Sequence, residues 1–144
     1  MKSTGVWYGL LFLLIFSLSG LHCKKVKEDL GKKFIISAMT NGLWIVQAFT
    51  DGNTDITADF SGYEFQFKED GKVFAIKAAT AELVVGAWEG NVNDLTIFSN
   101  FPAAGEPLSK LNDTWKITNN TTKLVEAKPF TSSRTAYLKL IKKS

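Results

Sequence analysis

From Leu43 to its C-terminus the chain reads as an all-β domain: an eight-stranded antiparallel up-and-down barrel. Three observations predict this. Apolar and polar residues alternate with a period of two, most cleanly in Tyr63-Glu64-Phe65-Gln66-Phe67-Lys68, the period of a pleated strand with one buried face. Turn-forming clusters punctuate the alternating runs at short intervals, so consecutive runs pair as hairpins. Eight runs joined this way form a meander, and closing it removes two unpaired edges.

The elements follow in order. Residues 26–39 (VKEDLGKKFIISAM) place Val26, Leu30, Phe34 and Ala38 four apart, which predicts a short amphipathic helix. Gly31 weakens it by about 1 kcal/mol relative to alanine, and Thr40-Asn41-Gly42 stops it. Leu43 to Thr50 (LWIVQAFT) is the first strand, and Asp51-Gly52-Asn53-Thr54-Asp55 a turn,. Tyr63 to Lys68 is the second strand. Glu69-Asp70-Gly71 is a hairpin turn, and Lys72 to Ala78 is the returning strand,. Glu82 to Trp88, Asp94 to Phe98 and Thr114 to Thr118 continue the pattern. Asn119-Asn120-Thr121 turns into Lys123 to Ala127, which Pro129 ends, and Ala136 to Lys142 is the last strand,.

The N-terminus has a different character. Lys2 precedes an apolar run from Val6 to Ser19, then Gly20-Leu21-His22-Cys23 and Lys24-Lys25. That layout reads as a bacterial lipoprotein signal peptide, with Cys23 as the lipid-attachment residue. Gly20 and His22 stand where the usual motif has Leu and a small residue. Cleavage after Ser19 or Gly20, or an uncleaved anchor, are the alternatives; the run is short for a span of about 20 residues. The expected organisation is a signal peptide over 1–22, a lipid-anchored linker and short helix over 23–41, and the barrel over 42–144. The expected location is the cell envelope, as an outer-membrane lipoprotein. The five lysines at 24, 25, 27, 32 and 33 fit either a solvated tether or attraction to an anionic membrane surface.

Composition excludes several function classes. Removing residues 1–22 leaves 122 residues, enough for one domain, with 16 basic and 14 acidic side chains,. That balance is too even for a nucleic-acid binder. His22, the one histidine, leaves with the leader, so no His-dependent triad or zinc site remains. Glu64, Glu82 and Glu126 lie in strands and are expected to face outward,. Asp51 to Asp55 with Asp59 partly matches a calcium loop, but Ile56 and Gly62 occupy positions that need Gly and Glu,. No enzyme activity, cofactor or metal is expected.

Asp55-Ile56-Thr57-Ala58-Asp59-Phe60-Ser61-Gly62-Tyr63-Glu64-Phe65-Gln66-Phe67, Gly86-Ala87-Trp88 and LSKLNDTWKI over 108–117 together resemble small lipocalin-like envelope proteins common in Bacteroidota, many of them lipoproteins. The resemblance covers roughly residues 42–142 and implies a lipocalin-like barrel; fold alone does not fix activity. Gly42-Leu43-Trp44 is similar to the G-x-W opening of true lipocalins, where a basic residue from near the chain's end packs on the Trp. The resemblance therefore implies a structural pair in which Arg134, the one arginine, stacks on Trp44.

The expected site is the barrel interior. Trp44, Tyr63, Phe65, Phe67, Trp88, Phe98 and Trp115 are the candidate ligand-binding side chains, with Gly42 and Arg134 structural. Pointing inward, such residues would form an aromatic chamber for a small apolar or amphipathic molecule, and Gly86 would leave room for close approach. The alternative is a filled core, because eight strands enclose a space that side chains alone can occupy. The longer connection SNFPAAGEPLSK over 99–110 would be either a lid or a self-packed loop. The expected function is thus a monomeric, non-catalytic ligand-binding barrel. The alternative is a filled-barrel module presenting loops to an envelope protein or polysaccharide.

Overall fold

The computed structural model describes residues 32–144. The expected leader, Cys23 and the first part of the expected helix lie outside the described residues. Helix α1 spans residues 32–40, and its last hydroxyl, Thr40 Oγ1, donates to the Ile36 carbonyl at 2.8 Å. Its buried face is not the expected stripe. Met39 is in the core and Ile35 and Ile36 pack against it, whereas Phe34 is 54% exposed. The reason is Gly90. A Cβ there would stand 2.9 Å from Ile35 Cγ2, so the bare backbone at Gly90 admits the helix at this rotation. Gly42 follows with φ +94°. An added Cβ would meet nothing nearer than Lys142 at 3.9 Å, so conformation rather than space requires glycine.

Nine strands follow: β1 Trp44–Asp51, β2 Thr54–Asp55, β3 Tyr63–Phe67, β4 Lys72–Lys77, β5 Glu82–Asn91, β6 Thr96–Asn100, β7 Asp113–Asn120, β8 Leu124–Pro129 and β9 Ala136–Lys142. β2 is a two-residue appendage of β1. The other eight form a closed antiparallel meander, as the sequence predicts, with β9 returning to pair with β1. That closing ladder runs from Asp51↔Ala136 to Trp44↔Lys142. On its other side β1 meets β3 only at Trp44↔Phe65. The remaining edge is covered by the chain folding back after β2: Ile56 N donates to Phe49 O at 2.9 Å, and Phe49 N to Thr57 Oγ1 at 2.8 Å.

Most strand boundaries differ from the sequence reading by one or more residues, and three of the shifts matter most here. β5 continues to Asn91, β6 starts at Thr96 rather than Asp94, and β8 runs through Pro129, which tolerates proline at its last position. A register shift between Val46 and Ala48 changes the phase of β1. Trp44 and Phe49 can therefore both be buried although they stand five positions apart, an odd offset,.

Both ends of the barrel are corked. At the end where β1 starts, α1 inserts Met39. At the end where β1 finishes, the β6–β7 connection folds in Phe101, Leu108 and Leu111, all buried. Asn112 Oδ1 secures that connection by accepting from Phe101 N at 2.6 Å. The longer loop is thus self-packed.

Candidate functional site

Six of the seven aromatic side chains expected inside are inside. Trp44, Tyr63, Phe65, Phe67, Trp88 and Trp115 are buried. Each indole N–H has a partner: Trp44 Nε1 donates to Met39 O at 2.9 Å, Trp88 Nε1 to Lys68 O at 2.8 Å and Trp115 Nε1 to Leu111 O at 2.9 Å. The rings pack on one another in a continuous file. Trp115 meets Phe49 at 5.7 Å, Phe49 meets Phe60 at 5.3 Å, Phe60 meets Tyr63 at 6.5 Å, Tyr63 meets Phe65 at 6.3 Å and Phe65 meets Phe101 at 6.4 Å between centroids. These are the offset and edge-on spacings at which aromatic pairs attract.

This packing leaves an apolar cavity of about 40 Å³, lined by Met39, Phe65, Trp115 and Leu138 among others. Small-molecule pockets run to about 300–1,000 Å³. The expectation of a ligand-sized chamber is therefore not met, and the aromatic side chains fill the volume they were expected to line. Gly86 does leave room, but the Phe101 ring takes it: a Cβ at Gly86 would stand 2.7 Å from Phe101 Cδ1 and 2.6 Å from the Asn100 carbonyl oxygen.

Phe98, the seventh residue, faces outward and is 40% exposed. On β6, Ile97 and Ser99 take the inward positions and Phe98 the outer one. Glu82 departs from expectation in the opposite sense. It lies on the inward phase of β5 at a barrel mouth, where Tyr63 Oη donates to its Oε1 at 2.8 Å. Burial, with the Glu82 carboxylate beside it, pushes the Tyr63 phenol up to about 12,. Lys77 Nζ covers the same ring at 4.8 Å.

Arg134 does not stack on Trp44. The cation over Trp44 is Lys142, with Nζ 5.4 Å from the ring; the β1–β9 register sets Lys142 opposite Trp44. Arg134 precedes β9 and so belongs to the other barrel end. Its guanidinium lies 5.4 Å from Trp115 and 5.7 Å from Phe49. Nε donates to Asp51 Oδ1 at 2.8 Å and Nη1 to Lys110 O at 2.9 Å, with Asp113 at 3.6 Å. The residue ties β1, the β6–β7 connection and β7 together. Its hydrogen bond and charge hold the Asp51 carboxyl below the usual carboxylate range. The turn expected at Asp51 to Asp55 is therefore a structural corner. Among the described residues, no three or more of His, Cys, Asp and Glu gather where they could hold a metal ion.

The outer surface carries two features that the alternation did not reveal. On β4 and β5 the outward side chains Phe74, Ile76, Leu83, Val85 and Ala87 are apolar and adjacent, with Phe74 opposite Val85 and Ile76 opposite Leu83. Leu83 and Val85 are among the most exposed large apolar residues described. The signal was present in the unbroken apolar runs Val73–Ile76 and Leu83–Ala87, since strands apolar on both faces are normally covered on both. Around the barrel, Phe98 and Phe130 border a groove of about 380 Å³ with Glu89, Asp94 and Thr114.

No protein-family model matches the chain, and no curated protein matches it. Among solved structures it is similar to a DUF4847 family protein from Bacteroides vulgatus ATCC 8482, solved at 1.00 Å. The two are 14% identical with a TM-score of 0.53, over 76% of this chain and 99% of the other. At that identity the likeness is one of fold.

Proposed function

We propose that this chain is a non-catalytic interaction module of the cell envelope, a lipid-anchored monomer that meets its partner with its outer surface. The observation that carries the reading is the filled interior. A cavity of about 40 Å³ has space for only a water molecule or two. A carrier of small apolar molecules needs several times that volume. Both corks are built from buried side chains, Met39 on one side and Phe101, Leu108 and Leu111 on the other. The envelope address and the anchor at Cys23 rest on the leader's layout,. The near-neutral charge balance of the rest of the chain argues against nucleic acid.

Native mass spectrometry of the protein purified from its own host tests the reading. The expected mass is that of the acylated chain with no small molecule attached. A co-purifying apolar or amphipathic molecule would overturn it in favour of the carrier. Palmitate labelling of wild type against Cys23→Ala tests the anchor, with label expected only on wild type.

A further inference from the structure

We infer that the outer groove beside β6 is a binding site for an uncharged saccharide. The inference rests on the interaction-module reading and names the partner that the outer surface would take. The groove crosses three strands. Glu89 of β5 lies directly opposite Phe98 of β6, and Phe98 directly opposite Thr114 of β7. Phe130 completes the row, because its N–H donates to the Thr114 carbonyl at 2.8 Å. The volume, about 380 Å³, is close to that of one or two sugar rings and within the range of small-ligand sites.

The chemistry of the walls is mixed in a particular way. Phe98 and Phe130 are 40% and 43% exposed, and each offers an aromatic face whose negative π-density attracts weakly positive C–H groups. Between and beside them stand Glu89, Asp94, Thr114 and Thr131. Ionised carboxylates only accept hydrogen bonds, while threonine hydroxyls both donate and accept. A pyranose ring has the matching division: a C–H face for the rings and a rim of hydroxyls for the oxygens. An anionic glycan would meet two carboxylates at close range, so the site favours an uncharged one. Among the described residues neither Glu89 nor Asp94 is used in an ion pair.

The walls are also held in place before any ligand arrives. Asn91 Oδ1 accepts from Asn93 N at 2.9 Å and Asp94 N at 3.3 Å, and Asn91 Nδ2 donates to Asp94 Oδ2 at 3.1 Å. Lys116 Nζ donates to the Asp94 carbonyl and covers one side of Phe130 at 5.5 Å. Phe130 remains 43% exposed beside that contact. Pre-set side chains lose little freedom on binding, which matters most for a weak, hydroxyl-rich ligand.

The test is a two-dimensional NMR titration of the full chain with cellohexaose, maltohexaose, xylohexaose and mannohexaose. A lysine-rich peptide and an oligogalacturonate serve as charged comparators. At least one neutral hexaose, titrated to about 10 mM to reach weak binding, is expected to shift residues 89–98, 114–116 and 130–131. Phe98→Ala and, separately, Glu89→Gln are each expected to weaken that response about tenfold. Leu83→Ser, on the same outer face of β5 but six residues along the strand from Glu89, leaves it unchanged. No groove response to any neutral hexaose, or a response to the peptide or the oligogalacturonate alone, would overturn the inference and leave the module reading standing. Shifts centred instead on Trp44, Phe65 and Trp115 would overturn both.

Discussion

At the scale of single residues, the barrel's far end depends on one cation. Arg134 sits against two rings and donates to Asp51 and to the Lys110 carbonyl. It joins β1 to β7 by charge, through Asp51 and Asp113. Lys110 adds a second contact to Asp51, with Nζ 3.3 Å from Oδ2. The consequence for pH follows from the sign of the Asp51 shift. Its folded carboxyl lies below the usual carboxylate range, mainly through the Arg134 hydrogen bond. A depressed carboxylate stabilises the fold fully above its unfolded pKa of about 3.9, and the contribution disappears as pH falls through the lower folded value. Asp51→Asn is therefore expected to lose about 1–3 kcal/mol at pH 7, the range for a charged hydrogen bond or an unsatisfied partner. Below about pH 4 the difference from wild type should narrow. Urea midpoints measured between pH 2 and pH 7 check both parts. A constant gap across that range would show that Asp51 acts only as a spacer.

At the scale of elements, the strands were legible and their phases less so. Tyr63 to Phe67 alternates without interruption, and its three aromatics are buried as the alternation predicts. The misplacements arise because which face turns inward is set by neighbouring elements, which local sequence does not show. Starting β6 two residues early kept its parity but gave no sign that Phe98 takes the outer position, between Glu89 of β5 and Thr114 of β7. In α1 the four-residue spacing pointed to Phe34, whereas docking on Gly90 turned Ile35 and Met39 inward. That docking predicts what the helix does. Met39→Ala removes the cork's side chain from a buried site and is expected to cost about 2–5 kcal/mol. It also enlarges the existing 40 Å³ apolar cavity. Apolar cavities stay dry and accept xenon, so xenon pressure should raise the urea midpoint of Met39→Ala more than that of wild type. Equal responses would mean that the helix relaxes into the gap.

At the scale of the whole molecule, closure was readable from eight consecutive strands, but the filling was not. The interior receives Phe101, Leu108 and Leu111 from a connection that carries no alternation, and Met39 from a helix; only the assembled fold shows how much space they occupy. The assembled fold also shows that the barrel wall is uneven. Seven register pairs join β1 to β9, whereas a single pair joins β1 to β3. Over the rest of that seam β1 bonds to its own returning chain, at Ile56 and Thr57. Each missing ladder pair removes backbone hydrogen bonds that elsewhere resist separation. The barrel is therefore expected to open first between β1 and β3, by a motion that leaves the β1–β9 ladder intact. Native-state hydrogen exchange reads this directly, because local openings expose amides at lower free energy than global unfolding. The β3 amides directed at β1 should exchange at least about tenfold faster than those in the β1–β9 ladder. With increasing urea, β1–β9 exchange should follow global unfolding while the seam stays nearly insensitive. Equal protection on both sides of β1 would show that the folded-back segment at Ile56 and Thr57 seals the wall as well as a full ladder does.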